Sequence, residues 1–318
     1  MGVNMIWANL LHLSTNMWID YERPPSAEER SYYDPSLRFD KDLWDEVTER
    51  MAEAGLNMVV IDLGDGVKYE SHPEIAVKRA WTPKRLRREL ERLRKLGLEP
   101  IPKLNFSACH DAWLGSYSRM VSTDTYYGVC KDLIREVAAL FDRPRFFHLG
   151  MDEETPQHQR RHRYMVVRQG DLWWHDFLFL AREVKAAGVR PWIWSDYVWQ
   201  HADEFFARMP KYVLQSNWYY SHSFSKKIRY VEAYLDLEKQ GYDQIPTGTN
   251  LAGYDWASPD SFERTVHWCA RHISPKRLFG FLQTAWQPTT ARHRRQHLDA
   301  IERVARAKAK PKPRRRRT

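Results

Sequence analysis

Short apolar runs alternate with amphipathic stretches along the whole chain. Runs at 3–10, 57–63, 98–104, 145–149, 190–194, 212–216, 244–248 and 278–283 are five to eight residues long. Their length and continuous hydrophobicity predict strands buried on both faces. Between them, segments 40–54, 82–96, 123–141, 171–187, 200–208, 226–240, 258–272 and 289–308 repeat apolar residues at helical spacing. Four helices run into a glycine before the next strand, at Ala54-Gly55-Leu56, Leu96-Gly97-Leu98, Ala187-Gly188-Val189 and Gln240-Gly241-Tyr242. Glycine adopts the left-handed conformation that stops a helix. Thr82-Pro83 and Ser258-Pro259 each place a capping hydroxyl before a proline suited to the first helical position.

Eight strand–helix units predict the α/β class and a (β/α)₈ TIM barrel, a single domain over residues 1–305. A doubly wound open sheet would alternate in the same way. It would carry a glycine-rich phosphate turn after the first strand, and the sequence has none there.

Composition narrows the class. Of 318 residues, 43% are hydrophobic and 29% charged, as in ordinary globular proteins. No apolar run nears the roughly 20 residues of a membrane span. Three cysteines, Cys109, Cys130 and Cys269, with no CxxC pair, give no disulfide framework and no zinc pattern. Neither a metal nor a cofactor is expected. No secretory leader precedes the first strand, so the expected location is cytoplasmic. The net charge is +9, but residues 306–318 hold eight Lys/Arg and no acid, and removing them leaves +1. The basicity belongs to a tail expected to be disordered, with at most weak contact to nucleic acid.

In a barrel of this kind chemistry gathers at the C-terminal strand ends. Those ends are rich in Asn, Asp, His and Trp. The chain has 14 tryptophans, and a Trp face with its N–H edge suits a sugar ring. After the fourth strand comes His148-Leu149-Gly150-Met151-Asp152-Glu153-Glu154. Adjacent carboxyls there can divide labour, one raised in pKa as a general acid, the other ionised against a developing positive charge.

The segment His148-Leu149-Gly150-Met151-Asp152-Glu153 resembles the strand-4 motif His-x-Gly-Gly-Asp-Glu of the family 20 glycoside hydrolases, the β-N-acetylhexosaminidases. Leu98 to Asn105 with His110, Trp194-Ser195-Asp196, Trp218, Trp286 and Tyr254-Asp255 resemble further parts of that family's barrel. The resemblance implies substrate-assisted retaining hydrolysis of an N-acetylhexosamine-containing glycan, in which the 2-acetamido oxygen is the nucleophile. By carry-over, Glu153 is the general acid and base, and Asp152 orients the acetamido group. One of Tyr219, Tyr220 or Tyr254 would hydrogen-bond its carbonyl. Trp194, Trp218 and Trp286 would wall the sugar, with Asp196, His110 and His148 beside or behind it. The chain departs from the pattern at Met151, at Asn105, at Gln287 and in lacking an arginine on strand 1, which implies related chemistry on a shifted substrate. Two alternatives stand beside it. One is a conventional retaining glycosidase pairing Glu153 or Glu154 with Asp196 or Asp255. The other is a barrel that binds carbohydrate without turnover. The basic run His158 to Arg163 is read as a solvated loop that could also meet an anionic glycan.

Overall fold

The computed structural model describes residues 5–22 and 31–309. Eight parallel strands form one sheet: β1 Ile6–His12, β2 Met58–Asp62, β3 Glu99–Lys103, β4 Phe146–His148, β5 Arg190–Trp194, β6 Leu214–Ser216, β7 Thr247–Thr249 and β8 Gly280–Thr284. The order β6-β5-β4-β3-β2-β1-β8-β7 brings the first strand beside the last, with Ile6 opposite Gly280. Parallel bridges Gln215↔Gln244 and Trp218↔Thr247 join β6 to β7 and close the ring. This is the expected (β/α)₈ barrel.

The helices between the strands are α1 Lys41–Glu53, α2 Pro83–Lys95, α3 Asp124–Leu140, a short α4 Pro156–Gln159, α5 Gly170–Ala186, α6 Ala202–Arg208, α7 Arg229–Lys239, α8 Ser261–His272 and α9 Arg294–Ala309. The glycine stops form as read. Gly97 has φ +80°, and Leu98 N–H returns to Leu93 C=O at 3.0 Å; the same closure recurs at Gly55, Gly188 and Gly241. Thr82 accepts from Arg85 N–H ahead of Pro83. Ser258-Pro259 does not repeat that arrangement. Ser258 N–H goes to Tyr220 C=O, and α8 starts only at Ser261, after Asp260. Helix α9 runs to Ala309, so four residues of the expected tail are helical, and 310–318 lie outside the described residues.

Two apolar layers hold the fold. Inside the ring sit Ile6, Leu10, Met58, Val60, Ile101, Phe146, Trp192, Leu214, Ile245 and Leu282. The outer faces of the strands pack on the helices around Val47, Leu90, Ile134, Leu180 and Leu237. Seven tryptophans, Trp44, Trp81, Trp113, Trp173, Trp174, Trp192 and Trp194, are fully buried. Part of the tryptophan signal is therefore packing. Toward the C-terminal mouth the interior turns polar: His12 stands 3.5 Å from Asp62, which is paired with the fully buried Lys103. Among the described residues no helix is long and apolar enough to cross a membrane.

Candidate active site

The loop after β4 is built on left-handed backbone. Gly150, Met151 and Glu153 have φ of +71°, +75° and +56°. A side chain at residue 150 would also meet Asn105, since a Cβ there would lie 2.0 Å from Asn105 Oδ1. Glycine is required at this point on both counts. Met151 and Glu153 hold a conformation that side chains adopt only when surroundings impose it. The imposing contacts come from the β3 and β5 loops. Met151 N–H donates to Asn105 Oδ1 at 3.2 Å, Ser107 Oγ to Asp152 C=O at 2.6 Å, and Glu153 N–H to Asp196 Oδ2 at 2.9 Å.

The two adjacent carboxyls are thereby separated in surroundings. Asp152 accepts from Asn105 Nδ2 at 2.8 Å. Glu153 has His110 Nε2 at 3.3 Å and His158 Nε2 at 3.4 Å. Burial, then the charges of Asp152 and Asp196, hold the Glu153 carboxyl well above its usual range. Burial, then the charge of Asp152, pushes Asp196 up to about 7, although Glu153 N–H pulls the other way. Burial lowers His110 to about 4, so its ring is neutral. Glu154 takes no part in this group. Arg168 grips it at 2.7 Å through two nitrogens, and both side chains are buried.

These residues border a cleft with two lobes. The first, of about 480 Å³, is lined by Asp152, Glu153, His110, Asn105, Trp18, Trp194, Trp218, Tyr220, Trp256 and Trp286, with Met17, Cys109 and Leu251. The second, of about 950 Å³, holds Asp196, Tyr219, Trp199 and Tyr230 and shares Glu153, His158, Trp218, Tyr220 and Trp256 with the first. Of the predicted site residues, Asp152, Glu153, His110, Trp194, Trp218, Tyr220 and Trp286 therefore come together around one lobe, and Asp196 and Tyr219 around its neighbour. Two lie outside both. His148 is fully buried, packed on Trp194 with ring centroids 4.3 Å apart, and its Nδ1 accepts from Gly150 N–H; it supports the loop from below. Tyr254 packs beside Trp256 at 5.3 Å without lining either lobe.

Sequence reasoning missed Met17, Ile19, Cys109 and Leu251, which line the first lobe. Nothing in their type distinguishes them from core residues. His158 and Arg161, read as a solvated loop, also line it. The His110, Asp152 and Glu153 donor atoms lie within 4.8 Å of one another, a spacing that would also admit a cation.

Solved structures that this chain resembles include β-N-acetylhexosaminidases. The enzyme from Bacteroides fragilis superposes with a TM-score of 0.64 at 12% identity, over 94% of this chain and 65% of its own. That from Streptomyces coelicolor, a family 20 enzyme, gives 0.62 at 14%, over 92% and 63%. The Vibrio harveyi exo-β-N-acetylglucosaminidase, solved with N-acetylglucosamine, gives 0.65 at 15%, over 99% and 55%. The chain has the family 20 glycoside hydrolase fold. It spans between 55% and 65% of the length of these three proteins. No protein-family description matches the sequence, and no curated protein does.

Proposed function

We propose that the protein is a glycoside hydrolase that cleaves N-acetylhexosaminides by substrate-assisted retaining hydrolysis. One observation carries this reading. The first lobe presents two neighbouring carboxyls on one wall and aromatic rings around them, and among the described residues no third carboxyl lines it. A conventional retaining mechanism needs a carboxylate nucleophile across the cleft, roughly 5–5.5 Å from the acid. Glu154 is held by Arg168, Asp255 is exposed and outside both lobes, and Asp196 sits on the Glu153 side, bonded to that residue's own N–H.

With no enzyme nucleophile, the acetamido oxygen attacks the anomeric carbon as the glycosidic bond breaks. Glu153, whose carboxyl its surroundings hold well above the usual range, gives its proton to the leaving oxygen. Water then opens the cyclic intermediate and returns a proton to Glu153. Asp152, fixed by Asn105, holds the amide N–H and offsets the positive charge that grows on the ring. Tyr220, whose hydroxyl receives Trp286 Nε1–H at 3.2 Å, bonds the amide carbonyl in this reading. Trp194, Trp218 and Trp286 flank the pyranose.

Aryl glycosides with and without the 2-acetamido group test the reading. Turnover is expected only with it, and Asp152→Asn and Glu153→Gln should each reduce it by about 10²–10⁴-fold. A thiazoline that mimics the cyclic intermediate should inhibit strongly. Equal turnover of glucosides, or indifference to the thiazoline, would overturn it.

A further inference from the structure

The second lobe has about twice the volume of the first, 950 against 480 Å³. It lies beyond Glu153, which borders both, whereas Asp152 borders only the first. The acid must stand between the sugar that reacts and the group that leaves. On the reading just given, the lobe without Asp152 therefore takes the leaving group. Its walls are suited to sugar. Trp199, Tyr219 and Tyr230 form one aromatic group, with Trp199 and Tyr230 edge to face at 4.4 Å and Tyr219 stacked on Tyr230 at 6.0 Å. Trp256, at the seam, is 53% exposed, and Tyr230 is 38% exposed. Large rings left in water beside a cleft are the expected form of a stacking platform. Asp196 also lines this lobe, its carboxyl hydrogen-bonded to the Trp218 side chain.

We infer that the second lobe is a leaving-group site for about two further pyranose rings, so that the natural substrate is an oligosaccharide of three or more units and not a short glycoside. The inference rests on the proposed hydrolase reading, and it assigns specificity to Tyr230, Trp199 and Trp256. If one ring fills the first lobe, the ratio of volumes leaves space for two in the second.

Oligomers of β-1,4-linked N-acetylglucosamine of two, three and four units provide the probe. In the parent, kcat/KM should rise about tenfold from dimer to trimer, the contribution of one well-stacked ring, and then level off. In Tyr230→Ala and Trp256→Ala the ratio of trimer to aryl-glycoside kcat/KM should fall by about the same factor. Rates equal across all lengths, or a ratio unchanged in both variants, would overturn the inference while leaving the hydrolase reading standing. Binding of the same oligomers to Glu153→Gln, followed by tryptophan fluorescence, separates the two claims. Affinity that grows from dimer to trimer and is lost in the double variant Glu153→Gln, Tyr230→Ala supports the lobe whatever the turnover of the parent. Affinity independent of length counts against it.

Discussion

At the scale of single residues, neighbours decide which carboxyl does what. Three consecutive acids follow β4, and each has a different fate. Asp152 is fixed by an amide, Glu153 stands beside two imidazoles with its carboxyl raised above the usual range, and Glu154 is neutralised by Arg168. Asp196 contributes to the second of these fates through its charge. Replacing it with Asn keeps an acceptor for Glu153 N–H but removes a negative charge. The Glu153 carboxyl should then titrate lower, and the alkaline limb of kcat/KM should move toward acid; a pH–rate profile of Asp196→Asn measures this, and an unmoved limb would contradict the assignment. Glu154→Gln leaves the buried Arg168 with the Asp176 carboxylate at 3.1 Å and the Phe106 carbonyl at 2.7 Å, and should destabilise the protein by about 3–5 kcal/mol, read by denaturant unfolding. The sequence showed the acid run and its family likeness. It did not show that Glu154 is structural, because that depends on an arginine 14 positions away folding back across the loop.

At the scale of elements, local rules were legible and non-local ones were not. The glycine stops and the Thr82 cap depend on a few adjacent residues, and they form as read. The start of α8 does not, because Ser258 is captured by Tyr220 from another loop. The short α4 and the 3₁₀ turns after β3 and β5, Ala112–Arg119 and Asp196–Trp199, also escaped the periodicity. They have too few turns to show one, yet with their flanking loops they carry His110, His158 and Asp196. Two glycines test how local a constraint is. Gly97→Ala meets nothing within 4 Å, so only the left-handed backbone resists it, and a loss of about 1–2 kcal/mol is expected with kinetics unchanged. Gly150→Ala must also displace Asn105, which releases Asp152. It should lower kcat in whatever fraction folds, as shown by activity per folded molecule alongside the melting curve.

At the scale of the whole molecule, buried ionisable groups set how stability follows pH. Asp65 and Asp196 are pushed up to about 7, by burial above all. Both bind a proton in the fold that the unfolded chain has released, so each makes stability fall as pH rises from about 4 to 7. His110 and His297 are lowered to about 4, again chiefly by burial. They make stability fall as pH drops from about 6.5 to 4. The opposite slopes offset one another between 4 and 6.5. Asp65→Asn should remove one downward slope, so its stability relative to the parent should climb between pH 4 and 7 by up to about 1.4 kcal/mol per unit, and level off above; thermal melts across that range check it. None of this was legible in the sequence, since it depends on which acids and histidines end up without water.

The pairing of β1 with β8 joins positions some 270 residues apart, as Ile6 opposite Gly280 shows. A ribosome delivers the N-terminal strand first, so during synthesis that strand has a neighbour on one side only. Its other flank stays open until the eighth emerges, an unpaired edge of the kind that invites association between nascent chains. Completion of the ring, and with it the walls contributed by Trp18 and Trp286, is thus a late event in the life of each polypeptide.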